Sequence, residues 1–308
     1  MTLQVCIYCE QPPKLDEQLT TEHVIPFALG GNETFSKASC KICGYRTSAF
    51  EAKVLRGAFY ALREKLRLPS RTKDRPDTLP LFSVNGDEGR RVQIPLSEYP
   101  VTLPLPRYTK AKILNEVDFS AEPRKPWIFA ESKDLSNLTD KYGIYQFATM
   151  SINSLSFGRM ICKIGNSWVT KQLNGRQFFP FLQKIILEDR GYDFLNFVGI
   201  SHFNAPPSGA GAIEHKLRLF EHPHELGRLL ICEVTLFANL GAPTYHAIVG
   251  VLTDGTVVKE PPKFSRIKLP KRLRADEYRA IIKIDGSERT AGFDPFAPDV
   301  VGNFSIVD

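Results

Sequence analysis

Residues 20–32 read TTEHVIPFALGGN, and the stretch sets a histidine, His23, between a carboxylate, Glu22, and an apolar pair before two glycines break the chain. It is bracketed by CIYC, Cys6 to Cys9, and by CKIC, Cys40 to Cys43. Four thiolates in two C-x2-C pairs can close a tetrahedron around Zn²⁺, because two intervening residues allow the tight knuckle such a pair needs. The 30 residues between the pairs exceed a minimal ribbon loop, so the metal ties together the ends of an inserted segment that carries His23. A zinc ion with four protein ligands has no open position for water, so it would be structural and would fold a segment too small for its own core. The question is whether His23 is a catalytic base or only part of that scaffold.

The rest of the chain sets the context. Its 308 residues are 43% hydrophobic and 24% charged, which is globular and excludes disorder over the whole length. A net charge of +6 and a pI near 8.9 are compatible with a polyanionic partner. Six cysteines do not make a disulfide scaffold; beyond the two pairs, Cys162 and Cys232 lie alone in apolar surroundings and read as buried thiols. MTLQVC has no basic-then-apolar leader pattern, and no apolar run approaches the roughly 18 residues that cross a bilayer. A cytoplasmic location is the expectation.

Three regions follow from composition: 1–68 with the cysteine pairs, a proline-punctuated 69–126, and 127–308. In the first, Phe50, Val54, Ala58, Ala61, Leu62 and Leu66 share one face of a helix whose start Thr47 or Ser48 would cap, with Glu51 in the first turn. Its other face carries Lys53, Arg56 and Arg63, either a solvated face or a contact to phosphates. In the second region Asn85-Gly86 predicts a hairpin turn between LFSV and RRVQI. In the third, Met160, Ile161, Ile164, Trp168 and Val169 predict a helix ending at Gly175, and LLICEVTLF and YHAIVGVLTDGTVV predict strands, the latter a hairpin around Asp254-Gly255. The class is α+β: a zinc-bound N-terminal module, then a larger mixed α+β domain.

Both cysteine pairs with Glu22-His23-x2-Pro26 and Gly30-Gly31 between them resemble the zinc-bearing branch of the HNH endonuclease family, over about residues 6–67. The resemblance implies a ββα-metal fold with a treble-clef-like zinc module, in which Pro26 ends a strand and the glycines form its turn. It implies that His23 is a general base activating water, that Glu22 holds a catalytic Mg²⁺ or another divalent ion, and that the substrate is nucleic acid, DNA being favoured. The family places an asparagine or histidine just after the second cysteine pair. This chain has Gly44 there, which leaves Asn32, Ser39, Tyr45, Thr47, Glu51 or a residue of the 69–126 region to complete the site. The alternative is a module without cleavage chemistry that binds nucleic acid or a protein partner.

Two further features stand outside the resemblance. His215, His222 and His224 lie close in sequence, but Pro223 predicts a loop there rather than a metal site. Lys268, Lys271, Arg272 and Arg274 form a basic run that reads either as a track for a phosphate backbone or as an edge strand shielded from aggregation by its charges; the first gives 127–308 the role of target recognition.

Overall fold

The computed structural model describes residues 5–71, 74–84, 89–114, 124–174, 176–202, 213–253, 266–267, 277–278, 280–284, 291–293 and 304–307. It is a mixed α+β protein with the four cysteines gathered in the N-terminal part and a larger strand-rich part after it.

The N-terminal part is a ββα unit. Strands β1 (Thr20–His23) and β2 (Thr34–Ser39) pair antiparallel, and α1 (Lys41–Arg56) follows at once. Cys40 is the residue at its N-cap, seven residues before Thr47 and eight before Ser48, either of which would have capped it. Those two hydroxyls instead donate back within the helix, to the carbonyls of Gly44 (3.0 Å) and Tyr45 (2.8 Å). The reason is the knuckle: closing Cys40 on Cys43 already bends the backbone into the first helical turn. Helix α1 stops at Gly57, where a Cβ would stand 2.6 Å from the Ser151 carbonyl oxygen. The chain then restarts as α2 (Tyr60–Lys65).

The connecting region is packed β-structure. Strands β3 (Thr78–Ser83) and β4 (Arg90–Pro95) form the expected antiparallel pair; Asn85-Gly86 lies outside the described residues. Strand β5 (Thr102–Arg107) pairs with β6 (Arg124–Glu131), which leads into α3 (Ser132–Tyr142). Short β7 (Gln146–Ala148) joins the β3–β4 sheet, and β8 (Ile152–Asn153) leads into α4 (Ser154–Leu173). The Asn153 side chain accepts the Ser156 N–H at 2.8 Å, an N-cap that fixes the start of α4. Asn174, in the left-handed region at φ 45°, ends it one residue before the expected Gly175.

After α4 come β9 (Phe178–Pro180), α5 (Gln183–Leu187), β10 (Val198–His202), β11 (Lys216–His224), β12 (Gly227–Thr235) and β13 (Thr244–Leu252). The order β10-β13-β12-β11 buries β13 along its whole length, and β9 also pairs with it. LLICEVTLF therefore supplies β12 as expected, while Asp254-Gly255 lies outside the described residues. Pro223 does not make a loop: it sits in β11, opposite Arg228, where an edge strand tolerates a residue without an N–H. Among the described residues after these, β14 (Glu277–Tyr278) pairs with β8, β15 (Ala280–Lys283) with β7, β16 (Ala291–Phe293) with β15 and β17 (Phe304–Val307) with β6.

Helix α4 is the axis of the packing. Its apolar residues Phe157, Met160, Ile161, Ile164 and Val169 are buried in one hydrophobic cluster with β12 and β13 on one side and Phe50, Val54 and Leu62 on the other. A helix buried nearly all round is expected to be apolar all round. Lys163, Asn166 and Ser167 are exceptions, each buried to 1% exposure or less. Cys162 and Cys232 are fully buried, as their apolar neighbourhoods suggested. Among the described residues no helix is long and apolar enough to cross a membrane.

Candidate active site

The cysteines come first, because they hold the rest in place. The Sγ atoms of Cys6, Cys9, Cys40 and Cys43 all lie within 4.8 Å of one another, and Cys9 and Cys40 are 4.0 Å apart. A tetrahedral zinc with Zn–S bonds of about 2.3 Å needs sulfur–sulfur separations of roughly 3.8 Å, so this donor set fits the ion. The thiols already share protons unequally. The neighbouring Cys43 thiol pulls Cys6 down to about 4, and Cys43 is itself driven up, chiefly by Cys6. Bound Zn²⁺ would take all four as thiolates.

The hairpin rises from this base. Residues Thr20 and Ser39 face each other, and a bulge between Thr20 and Glu22 turns the strand before the Glu22–Phe35 and His23–Thr34 pairs. Such a bulge re-aims the side chains beyond it, and Glu22 is buried while Thr20 and Thr21 are exposed. Gly31 closes the loop against the strand. A Cβ there would lie 2.2 Å from the Ile25 carbonyl oxygen, a contact with backbone that cannot move aside. Gly31→Ala is expected to cost about 1–3 kcal/mol of stability, read from the urea midpoint; an unchanged midpoint would remove the close approach as the reason for the glycine.

Glu22 is fully engaged. Its Oε2 accepts from the Ser39 hydroxyl at 3.1 Å, and its Oε1 is 2.7 Å from the ammonium of Lys163. The same Nζ stands 3.0 Å from Glu51 Oε1 and donates to the carbonyl oxygens of His23 and, at 3.3 Å, Val24. The structure thus joins Glu22 and Glu51 of the N-terminal module around one cation, with Ser39 bonded to Glu22, and that cation comes from α4. Burial works against the ammonium, but Glu51 and then Glu22 outweigh it and hold Lys163 above the usual lysine range. Burial pushes the Glu51 carboxyl up, with Lys163 pulling the other way.

Next to this cluster, His23 is half-buried with its ring 5.5 Å from that of Phe27. Its Nδ1 is buried and, among the described residues, no group hydrogen-bonds to it. Gly44, where the family's partner residue would stand, is open: a Cβ there would meet only Ser39 Oγ, at 3.8 Å. Asn32 and Tyr45 are exposed, and Thr47 is bonded to Gly44, so of the candidate completing residues Ser39 and Glu51 alone reach Glu22's surroundings.

Lys163 belongs to a polar stripe on α4 that docks on the module. Asn166 Nδ2 donates to the Ile7 carbonyl at 3.2 Å, and Lys171 Nζ donates to the Thr34 carbonyl at 2.7 Å and pairs with Glu33. The Ser167 hydroxyl gives its proton to the Lys163 carbonyl (2.8 Å), so Tyr8 is the donor in the 3.0 Å bond between Tyr8 and Ser167. Positions 163, 166, 167 and 171 fall on one helix face. Sequence reading followed the apolar positions of this helix and passed over these. A lysine, an asparagine and a serine at i, i+3 and i+4 inside an otherwise apolar helix were the available signal.

The basic residues divide. Lys53 and Arg56 are exposed on α1. Arg63 is not part of that face: it is buried, with Nε donating to the Ala28 carbonyl (2.8 Å) and Nη1 to that of Leu55 (3.2 Å), a strut behind the hairpin loop rather than a phosphate contact. Lys268, Lys271, Arg272 and Arg274 lie outside the described residues.

The three neighbouring histidines do not converge. Phe237 N–H donates to His215 Nδ1, so His215 Nε2 carries the proton and gives it to the Leu29 carbonyl at 2.8 Å, a second tie from the C-terminal part to the hairpin loop. His224 likewise accepts from Leu226 N–H and donates to the Ile113 carbonyl. His222 instead lines a cleft of about 530 Å³ with Arg107, Lys110, His202 and His246.

The divalent ion that the resemblance assigns to Glu22 does not fit this arrangement. The oxygens meet a nitrogen at 2.7 to 3.3 Å, ammonium distances, whereas Mg²⁺ draws oxygen ligands to about 2.0–2.1 Å. A second cation beside a buried ammonium would also be strongly repelled.

No curated protein and no solved structure matched the chain. The family model described as HNH endonuclease matches residues 6–56, the span from the first cysteine to the last residue of α1.

Proposed function

We propose that this chain is an HNH-type nuclease that hydrolyses phosphodiester bonds of nucleic acid, with DNA as the favoured substrate. The observation that carries the reading is the pair Glu22-His23 on a hairpin strand anchored by four clustered cysteines, inside the segment that matches the family. His23 takes the proton of the attacking water, and its Phe27 neighbour limits the ring's freedom. Glu22, fixed by Ser39 and Lys163, holds the strand that presents the imidazole. Exposed Lys53 and Arg56 on α1 attract the phosphate backbone, and residues 127–308 select the target. The net charge of +6 supports a polyanionic substrate.

Two observations favour a second reading, binding without cleavage: the ammonium held between the two carboxylates, and the His23 Nδ1 that no described group braces. Through Nδ1, no described group orients the imidazole for catalysis. Cleavage of linear and supercoiled DNA by the zinc-loaded chain, with and without Mg²⁺ or Mn²⁺, separates the two. The nuclease reading expects His23→Ala to lose about 10²–10⁴-fold in rate. Equal cleavage by both proteins would sink the role of His23. DNA binding with a steep salt dependence and no cleavage by either would establish the second reading instead.

A further inference from the structure

The cation-binding cage around Glu22 already contains a cation, and it is covalently part of the protein. Four oxygens converge on Lys163 Nζ: Glu22 Oε1, Glu51 Oε1 and the carbonyl oxygens of His23 and Val24. An all-oxygen set of two carboxylates and two carbonyls is the donor chemistry of a hard divalent ion. Here Glu22, Glu51 and the Val24 carbonyl stand 2.7–3.3 Å from the nitrogen, ammonium distances, and the lysine that fills the set is 1% exposed. The Glu22 and Glu51 side chains are 9% and 15% exposed, so water does not stabilise their charges in the lysine's place.

Lys163 is not a flexible surface side chain that happens to reach the site. Its helix is fixed on the module by Asn166, Ser167 and Lys171, and by the apolar cluster that α4 shares with Phe50 and Val54 of α1. The ammonium is therefore delivered to the cage by the docking of one part of the chain on another.

We infer that Lys163 is the resident cation of the Glu22–Glu51 pair, so that the hairpin site takes no divalent ion while α4 is docked and gains one when the lysine side chain is removed. The inference rests on the HNH reading only for where a cation belongs; the charge substitution itself follows from the oxygens around Nζ. Lys163 acts on the hairpin as a positioning residue. It bonds the carbonyls of His23 and Val24 directly, and so fixes the strand that presents the imidazole.

The test uses the full zinc-loaded chain and Mn²⁺ as probe. Electron paramagnetic resonance titration should find no Mn²⁺ held by the wild type in the millimolar range, and its melting temperature should not respond to Mn²⁺. Lys163→Ala should bind one Mn²⁺ per chain and recover melting temperature as Mn²⁺ is added, and Lys163→Ala with Glu22→Gln should lose both effects. A folded Lys163→Ala that binds no Mn²⁺ would overturn the inference. So would a wild-type Mn²⁺ site abolished by Glu22→Gln. Where the alanine variant folds poorly, the wild type alone suffices. A lysine buried this deeply should give a slowly exchanging Nζ–H signal by ¹⁵N-detected NMR, which Mn²⁺ leaves sharp if the inference holds and broadens if it fails. DNA cleavage enters none of these readouts, so failure of the nuclease reading and failure of this one are separately visible.

Discussion

Stripping the metal from the four-cysteine cluster, or replacing Cys40 by Ser, is expected to unfold residues 6–56 as a secondary-structure unit. The reasoning is local. A two-stranded hairpin is marginal by itself in water, and β1 is only four residues long. Helix α1 has no side-chain cap at its first residue, because Cys40 occupies that position and is needed by the knuckle. A zinc ion on the four cysteines would tie hairpin to helix, and its apparent binding free energy in small zinc modules is about 10–16 kcal/mol near neutral pH. Cys6, Ile7, Tyr8 and Cys43 are also buried in the cluster that reaches α4, so the loss should lower the melting temperature of the remainder. Native mass spectrometry should find one Zn²⁺ on the wild type and none on Cys40→Ser, and circular dichroism should report the lost helix. A metal-free chain with unchanged helix content and melting temperature would remove the zinc scaffold altogether.

The second large effect concerns charge. Replacing Lys163 by Met keeps much of the stem's volume and removes the ammonium, leaving Glu22 and Glu51 facing each other in a site almost closed to water. Breaking a buried ion cluster from one side typically costs about 3–5 kcal/mol, whereas exchanging the whole cluster for neutral groups is often close to neutral. Lys163→Met should therefore shift the urea midpoint far more than Lys163→Met combined with Glu22→Gln and Glu51→Gln, despite the latter's larger number of changes. If the single variant stays within about 1 kcal/mol of the wild type, the carboxylates are either protonated or hydrated there, and the ionic cluster is not what holds the hairpin.

Comparison of sequence with structure separates what is local from what is not. The cysteine pairs, the hairpin between them and the Glu22-His23 placement were legible because spacing of a few residues fixes them. Hydroxyl caps at Thr47 or Ser48 do not mark the start of α1, because Cys40 of the second cysteine pair takes the N-cap. Pro223 was misread because its effect depends on whether a strand is at an edge, which only the sheet order β10-β13-β12-β11 reveals. Arg63 looked like one more positive charge on a helix, but the restart of the chain after Gly57 turns it inward to the Ala28 carbonyl. Lys163 was out of reach of any local pattern. It lies in a different region from the carboxylates it joins, and nothing in their spacing calls for it.

That distance also bears on the order in which the protein can assemble. Residues 6–56 leave a ribosome well before α4, because Lys163 follows His23 by 140 positions. Until α4 has been made, the nascent module carries two carboxylates without their cation and an uncovered apolar face at Phe50, Val54 and Leu62. Such a surface is a natural target for a chaperone during synthesis. The cysteine module is consequently made before α4 but finished only with it.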